Sequence, residues 1–165
     1  MPADQRAIAM CWDELAALTS RIAAEVIADG VPEILIGILR GGMIPAVMLA
    51  HVLGSRQVRA IEVTHTADDG INAAKTCRPL LRNLASAGDV SGRDVLIADD
   101  VAGTGETVAY TADLMRHLGA ARVRAAVWVL NEANWPTGGR DTPDTTLTYI
   151  GIRNQGWVIF PWEQP

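Results

Sequence analysis

The chain reads as one α/β domain, residues 1–165, with a central parallel sheet flanked by helices. Three observations predict this. Short apolar runs rich in Val, Ile and Leu alternate with segments whose apolar residues recur at helical spacing, as strand–helix crossovers onto a single sheet require. The run Val95-Leu96-Ile97-Ala98 ends in the paired carboxylates Asp99-Asp100 and then a glycine- and threonine-rich turn, the pattern of a central strand whose carboxyl end carries a ligand. A chain of 165 residues that is 49% hydrophobic is long enough for one sizeable core, and no second domain is expected.

The elements follow in order. From Trp12 to Ala28, Leu15, Leu18, Ile22, Val26 and Ile27 recur at helical spacing, and Asp29-Gly30-Val31-Pro32 stops the helix. Glu33 to Leu39 is an apolar strand, Arg40-Gly41-Gly42 a tight turn, and Ile44 to Leu53 a second helix closed by Gly54. Val58 to Thr64 is the next strand. The polar stretch from 65 to 92 carries Gly70, Pro79, Gly88 and Gly92, and reads as a functional lid or as a stretch with its own short helix, over Ala73 to Ala85, the plain alternative being a surface loop. Val95 to Ala98 is the central strand, Thr107 to Leu118 a helix stopped by Gly119, and Val123 to Leu130 another strand. Tyr149 to Ile152 is a last strand, and Arg153-Asn154-Gln155-Gly156 a turn into Trp157-Val158-Ile159-Phe160-Pro161-Trp162-Glu163. That final segment concentrates two Trp residues and the chain's lone Phe, which suits stacking on a flat heterocycle or closing the core.

Composition narrows the function. A net charge of -5 without a Lys/Arg cluster argues against a nucleic-acid surface. No apolar run approaches a membrane span and Met1 to Ala9 lacks a signal pattern, so a cytoplasmic protein is expected. Cys11 and Cys77 have no metal-ligand or redox spacing and are expected to be reduced thiols. His51, His65 and His117 likewise lack ligand spacing and read as ordinary surface or packing residues.

The chemistry concentrates at residues 99–107. Gly103 and Gly105 let the backbone approach a phosphate, the hydroxyls of Thr104 and Thr107 can donate to its oxygens, and the following helix points its N-terminus at the same place. Asp99 and Asp100 suit the opposite partner, sugar hydroxyls and a hard cation such as Mg²⁺. Such a segment can hold a sugar phosphate. The plain alternative is a capped turn in which Asp100 and Thr104 only satisfy backbone donors.

This acidic pair with its small-residue loop resembles the phosphoribosyl pyrophosphate (PRPP) motif of the type I phosphoribosyltransferases. Nearly the whole chain is similar to the six-oxopurine branch of that family, through Cys11-Trp12-Asp13-Glu14-Leu15, Leu39-Arg40-Gly41-Gly42-Met43-Ile44-Pro45, the motif from Asp99 to Thr107, and Trp157 to Glu163. The resemblance implies the family's fold, with a mobile loop over residues 65–92 and a small hood over 153–165. It implies a Mg²⁺-dependent enzyme that moves the phosphoribosyl group of PRPP to a ring nitrogen of a nucleobase, a 6-oxopurine foremost, with release of pyrophosphate.

By the same resemblance, Asp99 and Asp100 hold the ribose hydroxyls and the Mg²⁺, and Ala102, Gly103, Thr104, Gly105 and Thr107 surround the 5-phosphate. Arg40, Gly41 and Gly42 form the pyrophosphate loop, with a cis peptide between Leu39 and Arg40. Lys75, the only lysine in the chain, lies in the mobile loop as a partner for pyrophosphate. Trp157 stacks on the base, and the Val158 backbone and Asn131 meet its edge. A dimer or tetramer is implied as well. Two departures bear on the acceptor. Gly103 stands where purine-salvage members usually carry an aspartate, and Asn131 where they carry a lysine. They motivate two alternatives, a non-purine acceptor and a PRPP- or nucleotide-sensing regulator; RNA binding by the latter would need a basic face, and the arginines are scattered.

Overall fold

A computed structural model of the chain describes residues 7–66, 74–137 and 141–163. The elements are β1 (Ile8–Ala9), α1 (Trp12–Asp29), β2 (Ile34–Leu39), α2 (Met43–Leu53), β3 (Val58–Thr66), β4 (Lys75–Arg82), β5 (Asp94–Ala102), α3 (Glu106–His117), β6 (Arg122–Asn131), α4 (Pro143–Thr146), β7 (Tyr149–Asn154) and β8 (Val158–Ile159). The main sheet runs β4-β3-β2-β5-β6-β7, parallel except for β4, which pairs antiparallel with β3 at one edge. A second, two-stranded sheet joins β1 to β8 in parallel, so the expected C-terminal hood is shared with the N-terminal segment.

Alternation along the strands explains the layers. Leu35, Leu96, Ala98, Ala126 and Trp128 face one way, into a core shared with Leu15, Leu18, Ile22 and Val26 of α1 and Leu49 of α2. Ile36, Ile38, Ile61, Val63, Val95, Ile97 and Val127 face the other way, against Val108 and Met115 of α3. Both faces are covered, which is why the central strands read as continuous apolar runs. At the amino-terminal edge, buried Arg124 donates to Asp94 at 2.8 and 3.3 Å and to the Tyr149 hydroxyl at 2.9 Å. That hydroxyl donates onward to Asp29 at 2.8 Å. The network ties the starts of β5, β6 and β7 to the end of α1.

Three expectations change. Within the span expected as a helix, residues 75–82 form a strand: residues 80–82 pair with 62–64 of β3, and Lys75 pairs with Thr66 across an irregularity in register. Pro79 explains why, since inside a helix it removes a backbone bond and collides with the preceding turn, whereas an edge strand tolerates it. The stretch 65–92 is therefore, where described, the end of β3, β4 and a short 3-10 turn at Leu84–Ala87; residues 67–73 of the expected loop lie outside the described residues. The central strand also continues past Ala98 to Ala102.

Cys11 and Cys77 are both exposed and unlinked, and no helix among the described residues is long and apolar enough to cross a membrane.

The most buried polar contact gives a direct stability test. Trp128, fully buried, donates its indole N–H to Thr19 Oγ1 at 2.9 Å, and that hydroxyl donates to the Leu15 carbonyl. Thr19→Val keeps the shape but orphans the indole N–H, so urea denaturation should show a loss of about 1–3 kcal/mol that Thr19→Ser largely avoids.

Candidate active site

The site is where neighbouring strands part. β2 pairs with β5 only as far as Gly37 with Ala98, and its last residues, Ile38 and Leu39, pair with β3. Beyond Ala98, β5 is held by β6, through Asp99 with Val127, Val101 with Val129 and Ala102 with Leu130. The crossovers leave in opposite directions, α2 toward β3 and α3 toward β6, so a crevice opens between the carboxyl ends of β2 and β5. It is a cleft of about 990 Å³.

Two turns meet on its floor. After β2 comes a cis peptide between Leu39 and Arg40, as the resemblance implied, then Gly41 and Gly42. A Cβ on Gly41 would stand 1.8 Å from Asp100 Oδ2, and one on Gly42 would stand 2.6 Å from the Ala98 carbonyl and 2.8 Å from Asp99 Cα. Only glycines allow this approach. Gly41 borders the cleft, whereas Gly42 packs behind it against β5. Arg40 stands exposed at the rim.

The acidic pair has unusual electrostatics. Asp99 accepts from the Asp100 N–H at 3.1 Å, and Asp100 accepts from the Val101 N–H at 2.8 Å. Burial, and after it the charge of Asp100, hold the Asp99 carboxyl well above its ordinary range. Burial also pushes Asp100 up, to about 6, with a further push from Glu163 of the hood. Both groups want either a proton or a cation.

Residues 103–107 close one end of the cleft. Gly105 has a φ of +75°, and a Cβ there would stand 2.3 Å from the Trp135 ring, so glycine is required twice over. α3 begins at Glu106 with its first turn facing the cleft, and Gly103, Thr104, Gly105 and Thr107 all line it. Asn131, which follows the Ala102–Leu130 pairing, lines the cleft too, as do Trp157 and Val158. Ile8 N–H donates to the Trp157 carbonyl and Met10 N–H to the Ile159 carbonyl, so the backbone groups of Val158 point away from β1. Asn131 is buried at the end of β6, and its Oδ1 has no hydrogen-bond partner.

Of the residues singled out from sequence, Arg40, Gly41, Asp99, Asp100, Ala102, Gly103, Thr104, Gly105, Thr107, Asn131, Trp157 and Val158 line one cleft. Lys75 opens β4, and its side chain lies outside what the structure describes. Sequence reasoning missed others. His65, expected to be an ordinary histidine, is buried, lines the cleft and lies 3.0 Å from Glu106. Asn134 follows β6 and lies beside Gly103, its Nδ2 3.6 Å from where a Cβ would stand. It borders the space that an aspartate side chain at 103 would enter. Glu163 faces the acidic pair from the hood.

Comparison with known proteins agrees with this geometry. Residues 11–163 match the phosphoribosyl transferase domain family. The xanthine-guanine phosphoribosyltransferase of Gluconobacter oxydans is 28% identical over 155 residues, covering 92% of this chain and 82% of the relative. Among solved structures, the purine phosphoribosyltransferase of Pyrococcus horikoshii superposes with a TM-score of 0.74 at 26% identity, covering 96% of this chain and 94% of that one. The xanthine-guanine-hypoxanthine enzyme of Helicobacter pylori shares the fold, with a TM-score of 0.73 at 17% identity over 96% of this chain and 94% of the other.

The raised carboxyls make stability depend on pH. Asp100, at about 6 when folded against 3.8 ordinarily, keeps its proton in the folded state after the unfolded chain has released it, so stability falls as pH rises from about 4 through 6. Asp100→Asn should therefore be more stable than the parent at pH 7.5, by about 1–2 kcal/mol after allowance for solvent in the cleft, and the gain should vanish near pH 4. Thermal unfolding of both proteins across that range checks this.

Proposed function

Because this chain belongs to the phosphoribosyl transferase family, we propose that it is a purine phosphoribosyltransferase: it transfers the 5-phosphoribosyl group of PRPP to a ring nitrogen of a purine and releases pyrophosphate. One observation carries the reading. The acidic pair, the diglycine turn and the glycine- and threonine-rich turn, distant in sequence, converge on one cleft at the point where the strand order reverses. That cleft offers groups for an anion, groups for hydroxyls and a cation, and an aromatic and an amide side chain for a base.

In this reading the ring nitrogen of the base forms its bond to the ribose C1 as the bond from C1 to the pyrophosphate oxygen breaks, with the electron pair leaving on pyrophosphate and the ring proton released. Little covalent work falls to the protein, and positioning and electrostatics dominate. Gly103, Thr104, Gly105 and Thr107 hold the 5-phosphate at the N-terminus of α3, and Asp99 and Asp100 accept from the ribose hydroxyls. Arg40 and the Gly41 amide meet the leaving pyrophosphate. Trp157 stacks on the purine, and the Val158 backbone and the Asn131 amide meet its edge.

The donor set also fits Mg²⁺. Asp99 and Asp100 are hard oxygen donors whose ionised forms are disfavoured without a counter-charge. Such an ion takes one or two carboxylates and completes its shell with substrate and water. A bound Mg²⁺ would offset the negative charge of pyrophosphate as it leaves.

The two relatives named for purines, together with the Asn131 amide, favour a purine acceptor. Pyrophosphate release from PRPP and Mg²⁺ should therefore be fastest with hypoxanthine, guanine or xanthine, and Asp100→Ala should lower kcat/KM by about 100-fold or more. Turnover confined to non-purine heterocycles, or PRPP binding without turnover on any base, would overturn the assignment.

A further inference from the structure

The phosphate turn contains a residue of the wrong sign. Glu106 opens α3 beside Thr104 and Gly105, where free N–H groups and the helix dipole favour an anionic ligand, and a fixed carboxylate there repels the phosphate that the turn is shaped to receive. Its Oε2 accepts from the Thr104 hydroxyl at 2.8 Å and lies 3.0 Å from His65 Nε2. His65 comes from β3, on the opposite side of β2 from the strand that carries the turn, and is 8% exposed.

The hydrogen bonds orient the imidazole. Thr76 on β4, whose hydroxyl donates to the Arg78 carbonyl at 2.7 Å, lies 3.3 Å from His65 Nδ1, and Nε2 is thereby turned toward Glu106. Nε2 donates to that carboxylate at the edge of the turn.

We propose that His65 is a positioning residue for phosphate binding: its hydrogen bond to Glu106 holds that carboxylate to one side, so that the turn at 103–107 accepts a phosphate dianion. This rests on the reading of that turn as the 5-phosphate site. The pairing joins the β3–β4 hairpin to the start of α3, so the electrostatics of the phosphate site depend on a strand outside the turn itself.

The test is calorimetric titration of the full chain with ribose 5-phosphate, without Mg²⁺, at low ionic strength and neutral pH. His65→Gln should weaken binding about ten-fold or more, Glu106→Gln should tighten it several-fold, and the double variant should return to within about three-fold of the parent. With PRPP as substrate, the His65→Gln loss should appear in KM more than in kcat. Binding by His65→Gln equal to the parent, or a double variant as weak as His65→Gln, would overturn the pairing. Should His65→Gln fail to fold, Glu106→Gln decides alone, because its side chain is 52% exposed on the first turn of α3 and unchanged affinity in that variant also overturns the proposal. Absence of ribose 5-phosphate binding by the parent would instead overturn the phosphate-turn reading on which the pairing stands.

Discussion

The cleft exists because two adjacent central strands exchange partners. Once β5 has lost β2, its last residues are held from one side only, and the space thus freed is entered by the turn after β2. The contact between that turn and the acidic pair is close enough to exclude any Cβ, so the placement of Asp99 and Asp100 and the course of residues 40–42 are one constraint. Everything else in the site is arranged around that contact: α2 and α3 begin on either side of it, and the hood closes over it.

The same contact has an electrostatic consequence. Packing backbone against two adjacent carboxylates removes water that would otherwise stabilise their charge, and neighbouring Glu163 adds to the burden. The folded chain thus carries an unfavourable feature that a cation and a sugar relieve on binding, an arrangement common where function requires what stability alone would not select. At the phosphate end the sign problem is handled differently. There a hydrogen bond from His65 draws the Glu106 carboxylate aside.

The fold was legible where periodicity is strong. The apolar runs of β2, β3, β5 and β6 and the helical spacing of α1, α2 and α3 mark those elements, because strands covered on both faces and helices covered on one leave different patterns. β4 was not legible as a strand: Leu80, Leu81 and Leu84 look helical in spacing, and the partner that makes the segment a strand lies across a hairpin. β1 and β8 are too short for any period. The acidic pair and both glycine turns were legible because few residue types satisfy such close approaches. His65 with Glu106, Trp135 over Gly105 and Asn134 beside Gly103 were not, since each depends on a tertiary contact that no local pattern encodes.

The union of β1 with β8 makes the N-terminal segment part of the roof over the cleft. A force applied ahead of Ile8 is carried by strand bonds to Trp157 and Ile159, on either side of Val158. An attachment point at that end, whether a surface linker or a fused partner, would act as a handle on the wall that meets the base. The Arg124 network sits at the other end of the strands, so anchorage near Asp29 would leave that wall undisturbed.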